Sequence, residues 1–405
     1  MTLTTRCCIA GGGPAGMMLG LLLARAGVEV LVLEKHADFL RDFRGDTIHP
    51  STLRIMDELG LLEDLLKLPH QKVQRLKAQV GDTTVEIADF THLPARYAFI
   101  AMMPQWDFLD FLAGRAKRHP SFALRMRTEA TGLIEESDRI AGLRATGPDG
   151  PLEIRADLVV GADGRHSTVR EKAALAVDEL GAPMDVLWFR LSRSSGDPGD
   201  SMGRFEAGRI FVIINRGTHW QLGYVIPKGS IDEIRRAGLE RFRETITAMV
   251  PWARDRLHEV ATWDDVKLLT VGVDRLRQWY RPGLLCIGDA AHTMSPVGGV
   301  GINLAIQDAV AAANILAAPL RNRSLTVDHL RRVQRRREFP TRLTQAIQVA
   351  VQRRIISRVL SGGNKPLPLP LPLRLFGRFP VLRRIPARLV GIGVRPEHAR
   401  TPEIK

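Results

Sequence analysis

The hexapeptide Gly11-Gly12-Gly13-Pro14-Ala15-Gly16 decides the fold, because it places the spacing G-x-G-x-x-G between two different kinds of segment. The apolar run Arg6–Ala10 precedes it and predicts a short buried strand. Ala15–Ala26 has the small and long apolar residues of a helix that stops at Gly27. Val28–Leu33 is a continuous run of β-branched and leucine residues, which is typical of a parallel strand covered on both faces. The chain is therefore predicted to open with a β-α-β unit.

In this context the hexapeptide is typical of a dinucleotide-binding turn. Gly11 allows the tight turn, Gly13 lets a pyrophosphate approach the backbone, and Gly16 lets helix and strand pack closely. The N-terminus of the helix offers unpaired N–H groups and a partial positive charge to the phosphates. Glu34 ends the second strand about 20 residues later, where its carboxylate can accept hydrogen bonds from the adenosine ribose hydroxyls.

Two later segments narrow the class of dinucleotide enzyme. Asp157–Gly164 reads Asp-Leu-Val-Val-Gly-Ala-Asp-Gly, and Leu284–His292 reads Leu-Leu-Cys-Ile-Gly-Asp-Ala-Ala-His. The second of these is followed by a glycine-rich stretch, Pro296–Asn303. Together with the first turn, in this order and spacing, the segments resemble the group A flavoprotein monooxygenases, the family of 4-hydroxybenzoate hydroxylase. The resemblance covers residues 5–320.

The resemblance implies noncovalently bound FAD and assigns roles to individual residues. Asp163 lies in the family's DG motif, which supports the use of both FAD and NADH or NADPH, and Asp289 lies in the GD motif that binds the ribityl chain. Arg44 and Gln105 match polar residues that reach the cofactor, and Pro296 matches the proline on the substrate side of the flavin. The expected cofactor-binding residues are Gly11, Gly13, Pro14, Ala15, Gly16, Glu34, Lys35, Arg44, Gln105, Asp163, Asp289, Gly299, Gly301, Ile302 and Asn303.

The implied reaction is hydroxylation of an aromatic or conjugated substrate. In the family, NADH or NADPH reduces FAD, O2 adds at C4a, and the flavin C4a-hydroperoxide transfers its distal oxygen to an electron-rich carbon. The sequence has no catalytic triad pattern and no zinc-type Cys/His spacing, which suits a cofactor that carries the chemistry itself. His49, His292 and Pro296 are the candidate catalytic residues beside the flavin. Two alternatives stay open: a flavin-dependent dehydrogenase or reductase of a lipid-like substrate, and a non-catalytic protein on this scaffold.

The middle of the chain changes character and predicts an antiparallel sheet with one face turned to a pocket. Its strand-like stretches are Val186–Leu191, Arg204–Ile214 and Trp220–Ile226, and Val73–Val80 with Val85–Ala88 predicts a hairpin. Residues 220–224 supply no arginine for a substrate carboxylate, which favours a fairly apolar ring larger than a small aromatic acid. The expected substrate-binding residues are Trp188, Phe211, Trp220 and Tyr224.

These segments predict an α/β fold with a Rossmann-like FAD-binding domain, a substrate-binding domain of antiparallel sheet, and C-terminal helices. The FAD-binding domain is discontinuous, whereas the last part of the chain forms a basic helical region of its own. The remaining predicted helices are Ser51–Gly60, Gln105–Lys117, Val300–Leu316 and Thr326–Val359. The expected domains are residues 1–72, 100–180 and 281–320 for FAD, residues 73–99 and 181–280 for the substrate, and residues 321–405 for the basic region.

Charge is concentrated at the C-terminus. Residues 321–405 hold 20 Lys and Arg against 4 Asp and Glu, a net +16, which leaves 38 against 40, a net −2, in residues 1–320. The nearly neutral body argues against nucleic-acid binding.

Three cysteines exclude a disulfide scaffold and favour a reduced, cytoplasmic protein. The longest apolar runs, such as Gly16–Ala24 and Ala309–Leu320, fall short of the roughly 18 residues of a membrane span.

The basic region leaves two interpretations open. Leu371–Ile392 mixes large apolar residues with five arginines, a pattern that a membrane-surface helix needs. In the resembled family the C-terminal helices pack on the body or at a dimer contact, and this second interpretation is favoured. The expected partners are an aromatic or conjugated small molecule and O2. A peripheral membrane contact and a homodimer stay open.

Overall fold

The computed structural model describes residues 1–40, 47–94, 96–199, 201–362 and 369–404. Its strands lie between Thr2 and Thr293. They are β1 Thr2–Ala10, β2 Val30–Leu33, β3 Thr47–Ile48, β4 Gln71–Val73, β5 Arg75–Val80, β6 Thr83–Asp89, β7 Ile100–Met102, β8 Phe122–Arg125, β9 Glu129–Glu136, β10 Arg139–Gly147, β11 Gly150–Gly161, β12 Val177–Glu179, β13 Met184–Ser192, β14 Met202–Glu206, β15 Arg209–Asn215, β16 His219–Pro227, β17 Lys267–Leu269, β18 Asp274–Leu276, β19 Tyr280–Arg281, β20 Leu284–Cys286 and β21 His292–Thr293.

Helices alternate with these strands and then dominate the C-terminus. The α-helices are α1 Pro14–Arg25, α2 Pro50–Glu58, α3 Leu62–Leu65, α4 Gln105–Ala116, α5 Thr168–Lys172, α6 Ile231–Ala237, α7 Leu239–Met249, α8 Gly301–Arg321, α9 Val327–Val351, α10 Ser357–Ser361, α11 Leu371–Arg378 and α12 Arg384–Gly391. Short 3-10 turns lie at Phe90–His92, Pro251–Glu259, Trp263–Asp265, Gly288–Ala290, Val297–Gly299 and Pro380–Arg383. One π-helical turn covers Gln352–Ile356.

The first sheet has eight strands, six of them in the order β19-β20-β11-β1-β2-β8, and the hairpin of β9 and β10 extends β11. Strands β20, β11, β1, β2 and β8 run parallel to one another. In the register of this sheet Cys7 lies opposite Val30 on one side and Leu158 on the other. The β-α-β opening predicted from the sequence is confirmed. Because both faces of β1 are covered, its last residues are apolar without alternation.

The second sheet orders its seven strands β17-β13-β16-β15-β14-β5-β6. The predicted hairpin of β5 and β6 is confirmed, and all pairs but one are antiparallel. The exception corrects the expectation of a purely antiparallel sheet, because β14 pairs with β5 in parallel. The hairpin comes from a distant part of the chain and joins the edge strand β14, so no turn forces the two strands to run in opposite directions.

Several element boundaries differ from the sequence prediction, and three of the differences have a local cause. Arg204–Ile214 is two strands, because Gly208 adopts φ +73° and reverses the chain between β14 and β15. Helix α2 begins at Pro50 with His49 as its N-cap, since proline is favoured at the first helical position. Thr326–Val359 is interrupted by the π-helical turn that separates α9 from α10.

The C-terminal helices pack on both parts of the molecule, because α9 contacts α8 and β19, whereas α11 and α12 contact β6 of the second sheet. Helix α9 packs against α8, and Arg337 on α9 is buried against Asp308 on α8. The stretch Val297–Arg321 is long and apolar enough to cross a membrane, which corrects the expectation that every apolar run is too short. In the apolar 18-residue segment of this stretch, 78% is buried inside the protein, as in the core helix of a folded domain.

Candidate functional site

The glycine turn after β1 has the conformation that the sequence motif demands. Gly11 adopts φ +106°, and a Cβ there would lie 2.3 Å from the carbonyl oxygen of Ala162. A Cβ on Gly16 would lie 1.9 Å from the carbonyl oxygen of Gly11, so helix α1 and the turn are in direct backbone contact. Among the described residues, no atom lies within 4 Å of a Cβ added at Gly13, which lines an open cavity. Gly13 is also the N-cap of α1 and provides no side-chain cap, so the first N–H groups of the helix lack intrahelical partners.

Glu34 closes the same turn from the end of β2. Its side chain is 8% exposed and lines the cavity. One carboxylate oxygen accepts a hydrogen bond from the amide of Gly12 at 3.0 Å, and the other accepts from the amide of His36 at 3.0 Å. The carboxylate therefore fixes the turn as well as facing the space where a ribose would lie. Lys35 lies at the cavity rim and forms an ion pair with Glu129 at 3.9 Å.

Two aspartates at the ends of parallel strands line the cavity beside the turn. Asp163 follows β11, and its Oδ2 accepts from the amide of Val169 at 3.1 Å, while Oδ1 accepts from the hydroxyl of Ser167. Burial raises the pKa of the Asp163 carboxyl, and these hydrogen bonds only partly offset it. Asp289 lies in the 3-10 turn after β20. Gln105, the first residue of α4, reaches the same cavity.

The glycine-rich loop before α8 forms the opposite wall. Pro296, Gly301 and Ile302 line the cavity. Gly299 adopts φ +63°, and a Cβ there would lie 2.7 Å from Oγ1 of Thr47. That hydroxyl donates to the carbonyl oxygen of Gly299 at 2.9 Å, which ties β3 to the loop. No side chain of the described residues caps the N-terminus of α8, so this end of the helix can offer N–H groups to a ligand.

Asn303 acts differently from the expectation. Its Oδ1 accepts from the amide of His49 at 2.9 Å and from the hydroxyl of Thr52 at 2.7 Å. Its Nδ2 donates to the carbonyl oxygens of Thr47 at 3.1 Å and Gly299 at 3.4 Å. These four bonds use the full capacity of a primary amide, and the side chain does not line the cavity. The side chain therefore positions β3, α2 and the loop around the cavity. The expected contact of Asn303 with the cofactor is left to its backbone at the start of α8 and stays a prediction.

His49 is the candidate catalytic histidine that the structure brings to the cavity. Its ring is fully buried, and Nδ1 lies 2.7 Å from the carbonyl oxygen of Val390 on α12. Among the described residues, Nε2 has no hydrogen-bond partner. Burial lowers the pKa of His49 to about 4, against a smaller opposing effect of the Val390 carbonyl. The imidazole is therefore neutral at neutral pH.

His292 does not line the cavity. Its side chain is 1% exposed, and Nε2 lies 2.6 Å from Oδ2 of Asp308. The other oxygen of that carboxylate accepts from Nε of Arg337 at 2.8 Å, and Glu397 lies beside the same guanidinium. Burial raises the pKa of the Asp308 carboxyl, but the charges of His292 and Arg337 outweigh it and the net shift is downward. The expectation of a catalytic His292 is therefore corrected to a structural role between α8 and α9.

The cavity has a volume of about 1720 Å³ and extends from the glycine turn to the second sheet. Of the four expected substrate-binding residues, Trp188 lines it. Phe211, Trp220 and Tyr224 lie on the opposite face of the sheet, packed in a second core that includes Phe242 of α7. The rings of Phe211 and Tyr224 stack there with centroids 4.8 Å apart. The expectation that these three residues line the pocket is wrong, because alternate residues of a strand face opposite sides.

Sequence reasoning missed the C-terminal cap of the cavity, which we define as residues 369–394. Leu373, Phe376, Pro386 and Val390 of this cap line the cavity. The cap is anchored by an ion pair between Arg383 and Glu86 on β6, with 2.6 Å between Nη1 and Oε2. The amphipathic pattern of residues 371–392 was visible in the sequence, but no local signal indicates which surface such a helix covers. Arg44, also expected at the cofactor, lies outside the described residues.

The residues present fit FAD. Gly13 leaves room at an uncapped helix N-terminus for a pyrophosphate. Glu34 and Asp289 face the adjoining space from the ends of two parallel strands. The uncapped start of α8 faces the same cavity from the other side, where its partial positive charge suits an anionic flavin ring. The fold and this cradle define a flavoprotein of the oxidoreductase class.

Comparison with known proteins places the chain in a family. Residues 4–346 match the family model described as "FAD binding domain", and the chain belongs to this family. Over 390 residues the chain is 35% identical to a 6-methylpretetramide 4-monooxygenase of Streptomyces rimosus, which covers 95% of this chain and 92% of that protein. An anhydrotetracycline monooxygenase of Streptomyces rimosus is 30% identical over 317 residues, or 75% of this chain and 60% of that protein.

Solved structures share the fold. A p-nitrophenol 4-monooxygenase from Pseudomonas putida DLL-E4 superposes with a TM-score of 0.76 at 20% identity, covering 96% of this chain and 94% of that chain. An anhydrotetracycline hydroxylase from Streptomyces rimosus superposes with a TM-score of 0.75 at 24% identity, covering 98% of this chain and 78% of that one. The resemblance read from the sequence motifs is confirmed. The protein is an FAD-dependent monooxygenase that uses NADH or NADPH as reductant.

Proposed function

We propose that the protein hydroxylates a fused-ring aromatic substrate of the polyketide type. The observation that carries this proposal is the single continuous cavity of about 1720 Å³, which is larger than a pocket for one small ring beside a flavin. Its far walls are apolar side chains of the second sheet and the cap, such as Trp188, Ile210 and Phe376. The 35% identical relative is named for oxygenation of 6-methylpretetramide, which supports a substrate of this size.

The proposed FAD-binding groups divide by the part of the cofactor they hold. The pyrophosphate turn consists of Gly11, Gly13, Pro14, Ala15 and Gly16. The adenosine end of the cofactor is bound by Glu34 and Lys35. Asp163, Asp289 and Gln105 serve the middle of the cofactor, and the backbone of Gly299, Gly301 and Ile302 serves the flavin edge. Pro296 lies on the substrate side of that loop. All of these residues except Gly16 line one cavity, and Gly16 packs against the carbonyl oxygen of Gly11 within the turn.

Bound FAD supplies the redox chemistry, by accepting reducing equivalents from NADH or NADPH and activating O2. The chain's own residues then hold the flavin, orient the ring to be oxygenated and keep water out. The apolar wall excludes water from the end of the cavity where oxygen transfer takes place.

The proposed domains keep the boundaries expected from the sequence. They are residues 1–72, 100–180 and 281–320 for FAD, residues 73–99 and 181–280 for the substrate, and residues 321–405 for the basic region. The support for this division is that the second sheet is built from residues 75–89 and 184–269.

The test is a turnover screen with the FAD-loaded protein. NADH and NADPH oxidation is followed in air with 6-methylpretetramide, anhydrotetracycline, 2-hydroxyanthraquinone and p-nitrophenol, and each product mass is measured. We expect a gain of one oxygen with a fused-ring compound and not with p-nitrophenol. Hydroxylation of p-nitrophenol alone would overturn the fused-ring substrate class. Product formation without oxygen consumption would overturn the monooxygenase reaction and favour a dehydrogenase.

A cytoplasmic protein that touches membranes peripherally is the second part of the proposal. The outer surface of the cap exposes Phe379, Val381 and Ile385 by 53–60% each, beside several arginines. Apolar side chains next to cations suit an anionic lipid surface. Flotation with phosphatidylserine vesicles at low salt should carry the full chain, and the triple serine variant of these three residues should stay behind. Equal behaviour of both proteins would restrict the cap to packing, or to a contact between two copies of the chain.

A further inference from the structure

His49 has an unused hydrogen-bonding atom, the buried Nε2, on a side chain at the cavity wall. The residue is the N-cap of α2, and its amide is fixed by the side chain of Asn303 at 2.9 Å. Its imidazole is fully buried and lines the cavity. Among the described residues, Nε2 has no partner, although a buried polar atom is normally paired. An orphaned atom in this position indicates that a ligand completes it.

The C-terminal cap decides what kind of partner Nε2 can take. Nδ1 of His49 lies 2.7 Å from the carbonyl oxygen of Val390, and a carbonyl oxygen can only accept. Nδ1 therefore carries the proton, and Nε2 of the neutral ring is an acceptor. Burial, which lowers the pKa of His49 to about 4, keeps the ring in this neutral form. The missing partner must be a hydrogen-bond donor.

The surroundings of His49 place this acceptor between the flavin loop and the substrate end of the cavity. On one side Thr47 on β3 is tied to Gly299, whose loop forms the cofactor wall. On the other side β3 pairs with β7, and Ile100 and Met102 of that strand line the cavity as apolar wall. The Thr47 hydroxyl is already used by Gly299. A donor that enters this apolar region with an aromatic ring is a phenolic hydroxyl.

We propose that Nε2 of His49 accepts a hydrogen bond from a phenolic hydroxyl of the substrate and so orients the ring that is oxygenated. This inference rests on the proposed fused-ring phenolic substrate. The hydroxyl keeps its proton, and the hydrogen bond increases the electron density on the phenolic oxygen and the ring. Oxygen transfer to carbon requires such an electron-rich ring. Val390 acts through His49 as a positioning residue, since its carbonyl selects the tautomer.

Two substitutions separate the two nitrogen atoms of the ring. In His49→Asn the amide nitrogen can take the position of Nδ1 and donate to Val390, but nothing replaces Nε2. In His49→Gln the longer side chain brings an amide oxygen towards the position of Nε2. The first variant therefore removes the proposed acceptor while keeping the bond to the cap. The second restores an acceptor and provides the rescue.

The experiment measures binding to the FAD-loaded protein without NADPH and without oxygen, from the change in the flavin absorption spectrum. The probes are 2-hydroxyanthraquinone and its methyl ether, 2-methoxyanthraquinone. We expect wild-type protein to prefer the phenol to the ether by about 5- to 10-fold, the value of one net hydrogen bond. His49→Asn should lose this preference with unchanged affinity for the ether, and His49→Gln should recover part of it. The dissociation constant of FAD should be the same for all three proteins.

Three results would overturn the proposal, and they are distinguishable. If both probes bind equally well to wild-type protein, Nε2 does not accept a hydrogen bond from the hydroxyl. The proposed fused-ring substrate class is not affected by this result. If His49→Asn weakens FAD binding and keeps the preference for the phenol, the acceptor serves the flavin instead. If wild-type protein binds neither probe, the fused-ring substrate class fails, and the role of His49 fails with it.

Discussion

Nε of Arg337 on α9 donates to Oδ1 of Asp308 on α8 at 2.8 Å, and the two side chains are 1% and 0% exposed. The same carboxylate holds His292 through its other oxygen, and Glu397 near the C-terminus lies 3.3 Å from the guanidinium. This buried network fastens both the last long helix and the end of the chain to the helix that begins at the flavin loop. Helix α9 and the segment around Glu397 are therefore part of the folded body, which agrees with the favoured interpretation of the basic region.

Arg337→Met should lower the free energy of unfolding by about 3–5 kcal/mol, because it leaves the Asp308 carboxylate buried without its guanidinium partner. The exposed Arg335, two positions before Arg337 on the same helix, provides the control. Arg335→Met should change stability by less than about 0.5 kcal/mol. Urea unfolding of both variants, followed by far-ultraviolet circular dichroism, measures the difference. Equal stability of the two variants would contradict the role of the network.

Gly13→Ala should lower the affinity for FAD, whereas Gly11→Ala should lower the stability of the protein. The Cβ added at Gly13 enters open cavity space, so the variant should fold with near wild-type stability and bind FAD more weakly. The Cβ added at Gly11 meets the backbone of Ala162 at a φ of +106°, so that variant should lose stability even without FAD. Thermal unfolding of the FAD-depleted proteins and FAD titration by fluorescence quenching separate the two effects. Normal FAD affinity of Gly13→Ala would place the pyrophosphate elsewhere.

Asp289→Ala should weaken FAD binding by about 10- to 150-fold, because the cofactor loses a hydrogen bond to a charged acceptor worth about 1.5–3 kcal/mol. The measurement is the dissociation constant of FAD at fixed ionic strength. Asp255→Ala is a matched control, since Asp255 is an exposed carboxylate away from the cavity. An unchanged FAD affinity of Asp289→Ala would count against the cofactor assignment.

Trp188→Ala and Trp220→Ala should separate substrate binding from folding. Trp188 lines the cavity, and its ring would lie 2.8 Å from a Cβ added at Gly223 on the neighbouring strand. Its removal should change the affinity for 2-hydroxyanthraquinone. Trp220 is fully buried on the other face and donates to Asp197 at 2.7 Å. Its removal should cost about 3–5 kcal/mol of stability and leave the ligand affinity of the folded fraction unchanged. If Trp220→Ala changed the ligand affinity and Trp188→Ala did not, the assignment of the two faces of the sheet would be wrong.

His49 should make stability depend on pH between about 4 and 6.5. Burial lowers the pKa of His49 to about 4 in the folded protein, whereas an unfolded histidine has a pKa of about 6.5. In this window the unfolded state binds a proton that the folded state does not, so stability falls as the pH falls. The full effect is about 3 kcal/mol.

Urea unfolding at pH 7 and pH 5 measures this dependence. His49→Asn should lose less stability than wild-type protein between the two values. The exposed His258 supplies the control, and His258→Asn should behave like wild type. Identical losses in wild type and His49→Asn would show that the folded ring titrates normally.

The sequence by itself determined the central parallel strands of the first sheet and the conformation of the glycine turn. Gly11, Gly16 and Glu34 are within 24 residues of one another, and their roles follow from local geometry: a positive φ, a close backbone contact and the end of a strand. The continuous apolar runs predicted buried parallel strands because both faces of such strands are covered. Short-range constraints of this kind are readable without knowing what else the chain packs against.

The tertiary structure alone decided which groups face the substrate. Strand alternation shows that Trp220 and Tyr224 share a face, but the packing of α7 on that face decides that it points away from the cavity. Asn303 is saturated by Thr47, His49, Thr52 and Gly299, which no motif indicates. His49 meets Val390 across 341 residues of chain. Contacts of such separation depend on how the finished layers pack together, and local residue patterns carry no information about that packing.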